Sequence, residues 1–120
     1  MVLVDTSIWI SHLRDGNKAL ADSLREGVVV CHPFVIGELA CGNLKNRRQI
    51  LDSLQALPTG EVAEQSELLE FIENKRIMGK GLGLVDIHLL ASSLLSHVQL
   101  WTSDRRLKQV AVDLKLDYRV

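Results

Sequence analysis

Short apolar runs alternate along the chain with segments of helical periodicity, and three of these runs pass directly into a helix. The runs are Val2 to Val4, Val28 to Cys31 and Val98 to Thr102, and the helices that follow them begin near Thr6, Pro33 and Arg105. Short β-branched runs bounded by capping residues are typical of buried strands. Their alternation with helices predicts an α/β fold, in which helices cover both faces of a parallel sheet.

Two weaker segments set the expected size of the sheet. One lies near Glu61-Val62 and the other runs from Asp117 to Val120, so we expect four or five strands in total. The remaining predicted helices run from about Asn17 to Arg25, from Arg47 to Leu57, around Leu68 to Ile72 and from Leu84 to Ser96. A chain of 120 residues holds one core of this kind and is too short for a (β/α)₈ barrel.

The composition is typical of a soluble cytoplasmic protein. The longest uncharged stretch, Ile87 to Ser103, contains histidines and serines and is too polar to span a membrane. The first residues lack the basic region of a signal peptide. Cys31 and Cys41 have neither the spacing of a structural zinc site nor that of a disulfide framework, as expected in a reducing compartment.

Four acidic residues stand where parallel strands end. Asp5 directly follows the first apolar run, and Asp104 lies just past the last one, after Ser103. Glu38 lies about one and a half turns into the helix after the second run, and Asp86 lies near the start of a mostly apolar helix. Because ligands of such sheets bind outside the carboxyl ends of the strands, we expect the four carboxylates to converge there.

Converging carboxylates need a cation or shared protons, because like charges about 4 Å apart repel by about 4 kcal/mol at an effective dielectric near 20. Oxygen ligands favour Mg²⁺ or Mn²⁺ over zinc. The cluster therefore predicts metal-assisted cleavage of a phosphodiester bond, with water as the nucleophile. The structural alternative is a helix-capping role for Asp5 and Asp104 and a solvated helix position for Glu38. Asp86 fits that alternative least, because Asp is a poor helix former and its neighbours are mostly apolar.

Four segments in this order resemble PIN-domain proteins of the VapC toxin type. They are Val4 to Ser7, Val35 to Leu39, Val85 to Ala91 and Trp101 to Leu107. Each segment is unspecific by itself, whereas the four together, at these spacings, cover nearly the whole chain. The resemblance implies a single PIN-like domain over residues 1–120, built of three α/β/α layers around the parallel sheet.

The resemblance also implies a function. Proteins of this type are Mg²⁺- or Mn²⁺-dependent endoribonucleases and serve as toxins of type II toxin–antitoxin pairs. They usually form homodimers, are held inactive by a cognate antitoxin and cut structured RNA such as transfer or ribosomal RNA. The implied metal site is formed by the four catalytic acids, Asp5, Glu38, Asp86 and Asp104. Asp5 and Asp86 are its direct ligands, Asp104 and Glu38 complete the acidic pocket, and Thr6 or Thr102 assists through a hydroxyl hydrogen bond.

Basic residues near the acidic cluster are predicted to contact RNA, although the formal net charge of the chain is −1. Arg105 and Arg106, next to Asp104, are our candidates for phosphate contacts. The segment Gly79 to Gly83 lacks the preceding strand and the Ser or Thr of a phosphate-binding P-loop. It is predicted to be a flexible loop that lets the backbone approach RNA phosphates.

The sequence fits two other classes of protein less well. A phospho-receiver domain requires paired acidic residues after the first strand, but Thr6 follows Asp5, and no lysine stands among Thr102 to Asp104. A non-catalytic RNA- or protein-binding module on the PIN fold is disfavoured by the four intact carboxylates. A separate hypothesis places Trp9 and Leu13, on the first helix, partly in a partner-binding surface.

Overall fold

The computed structural model describes all 120 residues and has an α/β fold with the predicted order of elements. The three apolar runs form the strands β1 (Val2–Val4), β2 (Val29–Val30) and β3 (Gln99–Trp101). The helices are α1 (Thr6–Asp15), α2 (Lys18–Arg25), α3 (Pro33–Ala40), α4 (Arg47–Gln55), α5 (Gln65–Lys75), α6 (Leu84–Ser96) and α7 (Arg105–Asp113). Every strand is thus followed within a few residues by a helix that leaves the same edge of the sheet.

The sheet is parallel, and its strand order β2-β1-β3 puts the first strand in the middle. In this register, Leu3 lies opposite Val30 on one side and Leu100 on the other. All three residues of β1 are buried, which is why the run is apolar without alternation. The residue that follows β1, Asp5, therefore lies at the centre of the carboxyl edge.

The sheet has three regular strands, and the further strands expected at its two edges are each reduced to a single bridge. Each edge is extended only by one parallel bridge, Cys31 with Thr59 and Leu100 with Asp117. The contact expected near Glu61-Val62 thus occurs two residues earlier. The chain then leaves the sheet at once, because the Glu61 backbone N–H donates to the Ser96 hydroxyl and not to a strand.

The core lies between β1 and the helices around it, and α6 contributes several fully buried residues to it, including Leu89 and Leu90. Trp9 is 3% exposed and belongs to this core, so its proposed part in a partner-binding surface is wrong. Leu13, one turn further along α1, is 36% exposed.

None of the helices has the length and apolar character needed to cross a lipid bilayer.

Gly60, beside the Thr59 bridge, is expected to tolerate no side chain. A Cβ at this position would lie 2.7 Å from the Ser92 Oγ and 3.4 Å from the Val30 Cγ1, and Ser92 is fully buried. We expect Gly60→Ala to lower the free energy of unfolding by about 1–3 kcal/mol, measured by chemical denaturation. Gly37→Ala is the control, because a Cβ there meets nothing within 4 Å and alanine favours helix α3. Equal stability of the two variants would contradict this packing.

Candidate functional site

Asp5 is a buried carboxylate that is held by two hydroxyl groups. It stands at the N-cap position of α1, yet its side chain makes no capping hydrogen bond. Instead its Oδ2 accepts hydrogen bonds of 2.7 Å from the Ser7 and the Thr102 hydroxyls. The capping alternative considered for Asp5 is therefore not what the side chain does, and its Oδ1 receives no hydrogen bond from the protein.

Asp104 is tied to Asp5 through the same two hydroxyls. The Thr102 Oγ1, which donates to Asp5, also accepts a 3.0 Å hydrogen bond from the Asp104 backbone N–H. The Ser7 Oγ accepts one of 3.1 Å from the Ser103 backbone N–H. Asp104 does cap α7, because its Oδ1 accepts a hydrogen bond from the Leu107 N–H. Its Oδ2 receives no hydrogen bond from the protein.

The other two carboxylates are also oriented by neutral donors. The Thr6 Oγ1, at the start of α1, donates a 2.6 Å hydrogen bond to Glu38 Oε1 on α3. The Gly83 backbone N–H donates one of 3.1 Å to Asp86 Oδ2 in the first turn of α6. Each of the four carboxylates thus has one oxygen fixed by a hydrogen bond and one without a protein donor.

Asp86 is affected electrostatically by the other three carboxylates. The pKa of Asp86 is raised above its usual value, chiefly by burial and further by the charges of Asp5, Asp104 and Glu38, and the Gly83 N–H opposes this rise. None of the four forms an ion pair with a lysine or an arginine. The sheet edge therefore keeps its negative charge without an internal counterion.

The donor set is chemically suited to a hard divalent cation, since it offers only carboxylate oxygens. No three acidic, His or Cys side chains lie close enough together, as they stand, to hold a metal among them. Magnesium binds through only one or two carboxylates and keeps several waters, so it does not require such a closed cage. The residues present therefore fit a partly hydrated ion.

Ser7 is the member of this arrangement that the sequence analysis missed. It donates to Asp5 and holds the segment before Asp104, and the only signal for it was a hydroxyl two residues after Asp5. The hydroxyls of Thr6 and Thr102 are engaged with carboxylates. Arg105 and Arg106 lie in the exposed first turn of α7 and form no ion pairs.

Comparisons with known proteins agree with this architecture. The PIN domain family matches residues 2–113. The chain is 43% identical over 114 residues to Ribonuclease VapC32 of Mycobacterium tuberculosis. The alignment covers 94% of this chain and 92% of that protein.

Two solved structures share the fold at low sequence identity. FitAcB from Neisseria gonorrhoeae has a TM-score of 0.65 and 17% identity, over 93% of this chain and 94% of that one. PAE2754 from Pyrobaculum aerophilum has a TM-score of 0.61 and 16% identity, over 91% and 78%. The chain belongs to the PIN-domain family and, within that family, to the VapC type of ribonuclease.

Proposed function

We propose that this protein is a metal-dependent endoribonuclease and the toxin of a type II toxin–antitoxin pair. The observation that carries the proposal is the set of four carboxylates without a counterion at the carboxyl edge of the sheet. It stands in a chain that is 43% identical, over nearly its whole length, to a ribonuclease. A non-catalytic module would not need to retain so much uncompensated charge at one edge.

Ribonucleases of this family generally use a divalent metal ion, and the oxygen donors favour Mg²⁺ or Mn²⁺ here. We assign Asp5 and Asp86 as its direct ligands, with Asp104 and Glu38 completing the catalytic pocket. When bound, such an ion would supply positive charge to offset that of the scissile phosphate and would make a water molecule more acidic, and so available as the nucleophile.

The chain's own contribution to this reaction is to hold the carboxylates in place while leaving them charged. Asp5 is oriented by Ser7 and Thr102, and Glu38 is oriented by Thr6. These donors are neutral hydroxyls, so they restrict each carboxylate without cancelling its charge as an arginine would. Such fixed charge costs little reorganisation when the substrate arrives.

The proposal extends to the biological partners. The substrate is a structured RNA of the transfer or ribosomal class, and Arg105 and Arg106 contact its phosphates. Thr6 and Thr102 assist at the site through their hydroxyl hydrogen bonds. The chain acts in the cytoplasm as a homodimer of single-domain subunits, residues 1–120, and a cognate antitoxin holds it inactive.

Cleavage of purified RNA tests the proposal. We expect the purified protein to cut transfer or ribosomal RNA with Mg²⁺ or Mn²⁺, to stop when a chelator is added, and to resume when the metal is restored in excess. The products are separated on a denaturing gel. Undiminished cleavage in chelator would contradict the role of the metal, and intact RNA with every divalent ion would contradict the nuclease activity.

A further inference from the structure

The loop before α6 offers unpaired backbone donors. In this glycine loop, residues 78–83, the backbone N–H groups of residues 78 to 82 donate to no acceptor in the protein. Gly79 and Gly81 have φ angles of +70° and +79°, a conformation that L side chains rarely adopt. Consecutive amides in such left-handed turns form concave sites that attract anions.

The Arg106 side chain packs directly against this loop. A Cβ added to Gly81 would lie 2.8 Å from Arg106 Nη1 and 3.1 Å from Arg106 Cδ, so only glycine permits the contact. Arg106 forms neither an ion pair nor a side-chain hydrogen bond, although Asp104 is two residues away. Its guanidinium is therefore placed beside the loop and is not used to neutralise the acidic pocket.

Both features are attached to the elements that carry the proposed site. The last residue of the loop, Gly83, donates its N–H to Asp86 Oδ2. Arg106 lies in the first turn of α7, and Asp104 caps that helix. The free amides and the guanidinium thus adjoin the carboxylates, where a bound polyanion needs positive contacts to offset repulsion from the pocket.

We propose that the backbone N–H groups of Lys80, Gly81 and Leu82, together with the Arg106 guanidinium, form a cradle that binds a phosphate of the RNA chain next to the scissile phosphodiester. The guanidinium suits this ligand because its planar donors match two phosphate oxygens. The inference rests on the proposed function, since RNA is the ligand. It gives the proposed phosphate contact of Arg106 a specific set of backbone partners in the loop.

The first test measures binding of a single-stranded RNA oligonucleotide in chelator, where metal-dependent cleavage is absent. Fluorescence anisotropy is recorded over a range of salt concentrations. We expect Arg106→Ala to weaken binding about tenfold and to reduce the salt slope by about 0.7, the value for one lost phosphate contact to a single strand. The RNA affinity of Arg106→Lys should lie between those of the wild type and of Arg106→Ala, because lysine keeps the positive charge but lacks the planar set of donors. Lys108→Ala removes a charge from the same helix and should change affinity less than threefold.

The second test uses a matched pair of glycine variants. Gly79→Ala and Gly81→Ala carry similar backbone strain, but a Cβ at position 79 meets nothing within 4 Å, whereas one at position 81 displaces Arg106. Only Gly81→Ala should reproduce the loss of RNA affinity, and combining it with Arg106→Ala should add little. Thermal unfolding of both variants checks that each is folded.

The outcomes separate this inference from the proposed function. A protein that cleaves RNA with metal but binds it equally well after Arg106→Ala would overturn the cradle and leave the nuclease proposal standing. Equal losses of RNA affinity from Gly79→Ala and Gly81→Ala would also overturn the cradle. If the wild type neither binds nor cuts RNA, the cradle and the proposed function fail together.

Discussion

Asp86→Asn is expected to reduce RNA cleavage about 10³-fold, which is about 4 kcal/mol of transition-state stabilisation, and at the same time to stabilise the metal-free protein at neutral pH. The activity falls because one of the two proposed metal ligands is lost. The stability rises because a carboxylate that is destabilised by burial and by three neighbouring acids becomes neutral. Misfolding would lower both the cleavage rate and the stability. A fall in cleavage together with a rise in stability therefore distinguishes the loss of a charged ligand from misfolding.

The pH dependence of this stability gain follows from the direction of the pKa shift. The pKa of Asp86 is higher in the folded chain than its ordinary value, so the folded state favours the protonated carboxyl. At low pH this group has no effect on stability. As the pH rises from the ordinary pKa through the raised one, ionisation costs the wild type stability. The advantage of Asp86→Asn should therefore appear over that interval and persist at neutral pH.

Thermal unfolding in chelator, scanned over pH, measures this effect, and a gel assay with metal measures cleavage. Asp52→Asn is the matched control, because Asp52 is exposed on α4 and makes no side-chain hydrogen bond. Asp52→Asn should change neither the thermal stability nor the cleavage of RNA. An Asp86→Asn protein that is less stable than the wild type at neutral pH without metal would contradict the electrostatic account of the pocket.

Thr102→Val is expected to lower cleavage by about 10- to 100-fold, as is typical when a group that orients a metal ligand is removed. The Thr102 hydroxyl is buried and serves both sides of the pocket, since it donates to Asp5 Oδ2 and accepts from the Asp104 N–H. Valine also removes the buried hydrogen bond to Asp5, at a cost of about 1–3 kcal/mol in the free energy of unfolding. Thr102→Ser keeps the hydroxyl and should recover most of the activity.

Metal titrations distinguish two roles for this hydroxyl. If Thr102 acts by orienting Asp5 and Asp104, the variant should require more metal for half-maximal cleavage, and its KM for RNA at saturating metal should be near that of the wild type. If Thr102 contacts RNA instead, KM should rise while the metal requirement stays the same. The geometry favours the first result, because the hydroxyl already donates its proton to Asp5 and accepts a hydrogen bond from the Asp104 N–H.

Much of the fold could be predicted because most helices and strands are indicated by local patterns of apolar and capping residues. Helix α6 runs from Leu84 to Ser96, the bounds read from its apolar stretch, and the three strands lie within the predicted runs. The edges of the sheet could not be predicted in this way. Thr59 and Asp117 each make one bridge, and a single bridge depends on where neighbouring loops pack more than on any local pattern.

The positions of the site residues could be predicted from the topology of the sheet. The hydrogen bonds that orient these residues could not. Asp5 and Asp104 follow parallel strands, so their positions at one edge could be inferred from the sheet alone. The role of the Ser7 hydroxyl could not, because its contact with the Ser103 backbone N–H joins residues that are 96 positions apart in the sequence. Asp104 also shows that one carboxylate can cap a helix with one oxygen and keep the other for the pocket.

Anomalous diffraction from crystals soaked in Mn²⁺ tests the central claim most directly, because it locates the ion without reference to activity. We expect one manganese peak at the carboxyl edge of the sheet, bound by Asp5 and Asp86 and absent from Asp86→Asn crystals. A peak at another place, or none at this edge in a protein that still cuts RNA, would contradict the proposal that these four carboxylates form the metal site of the nuclease.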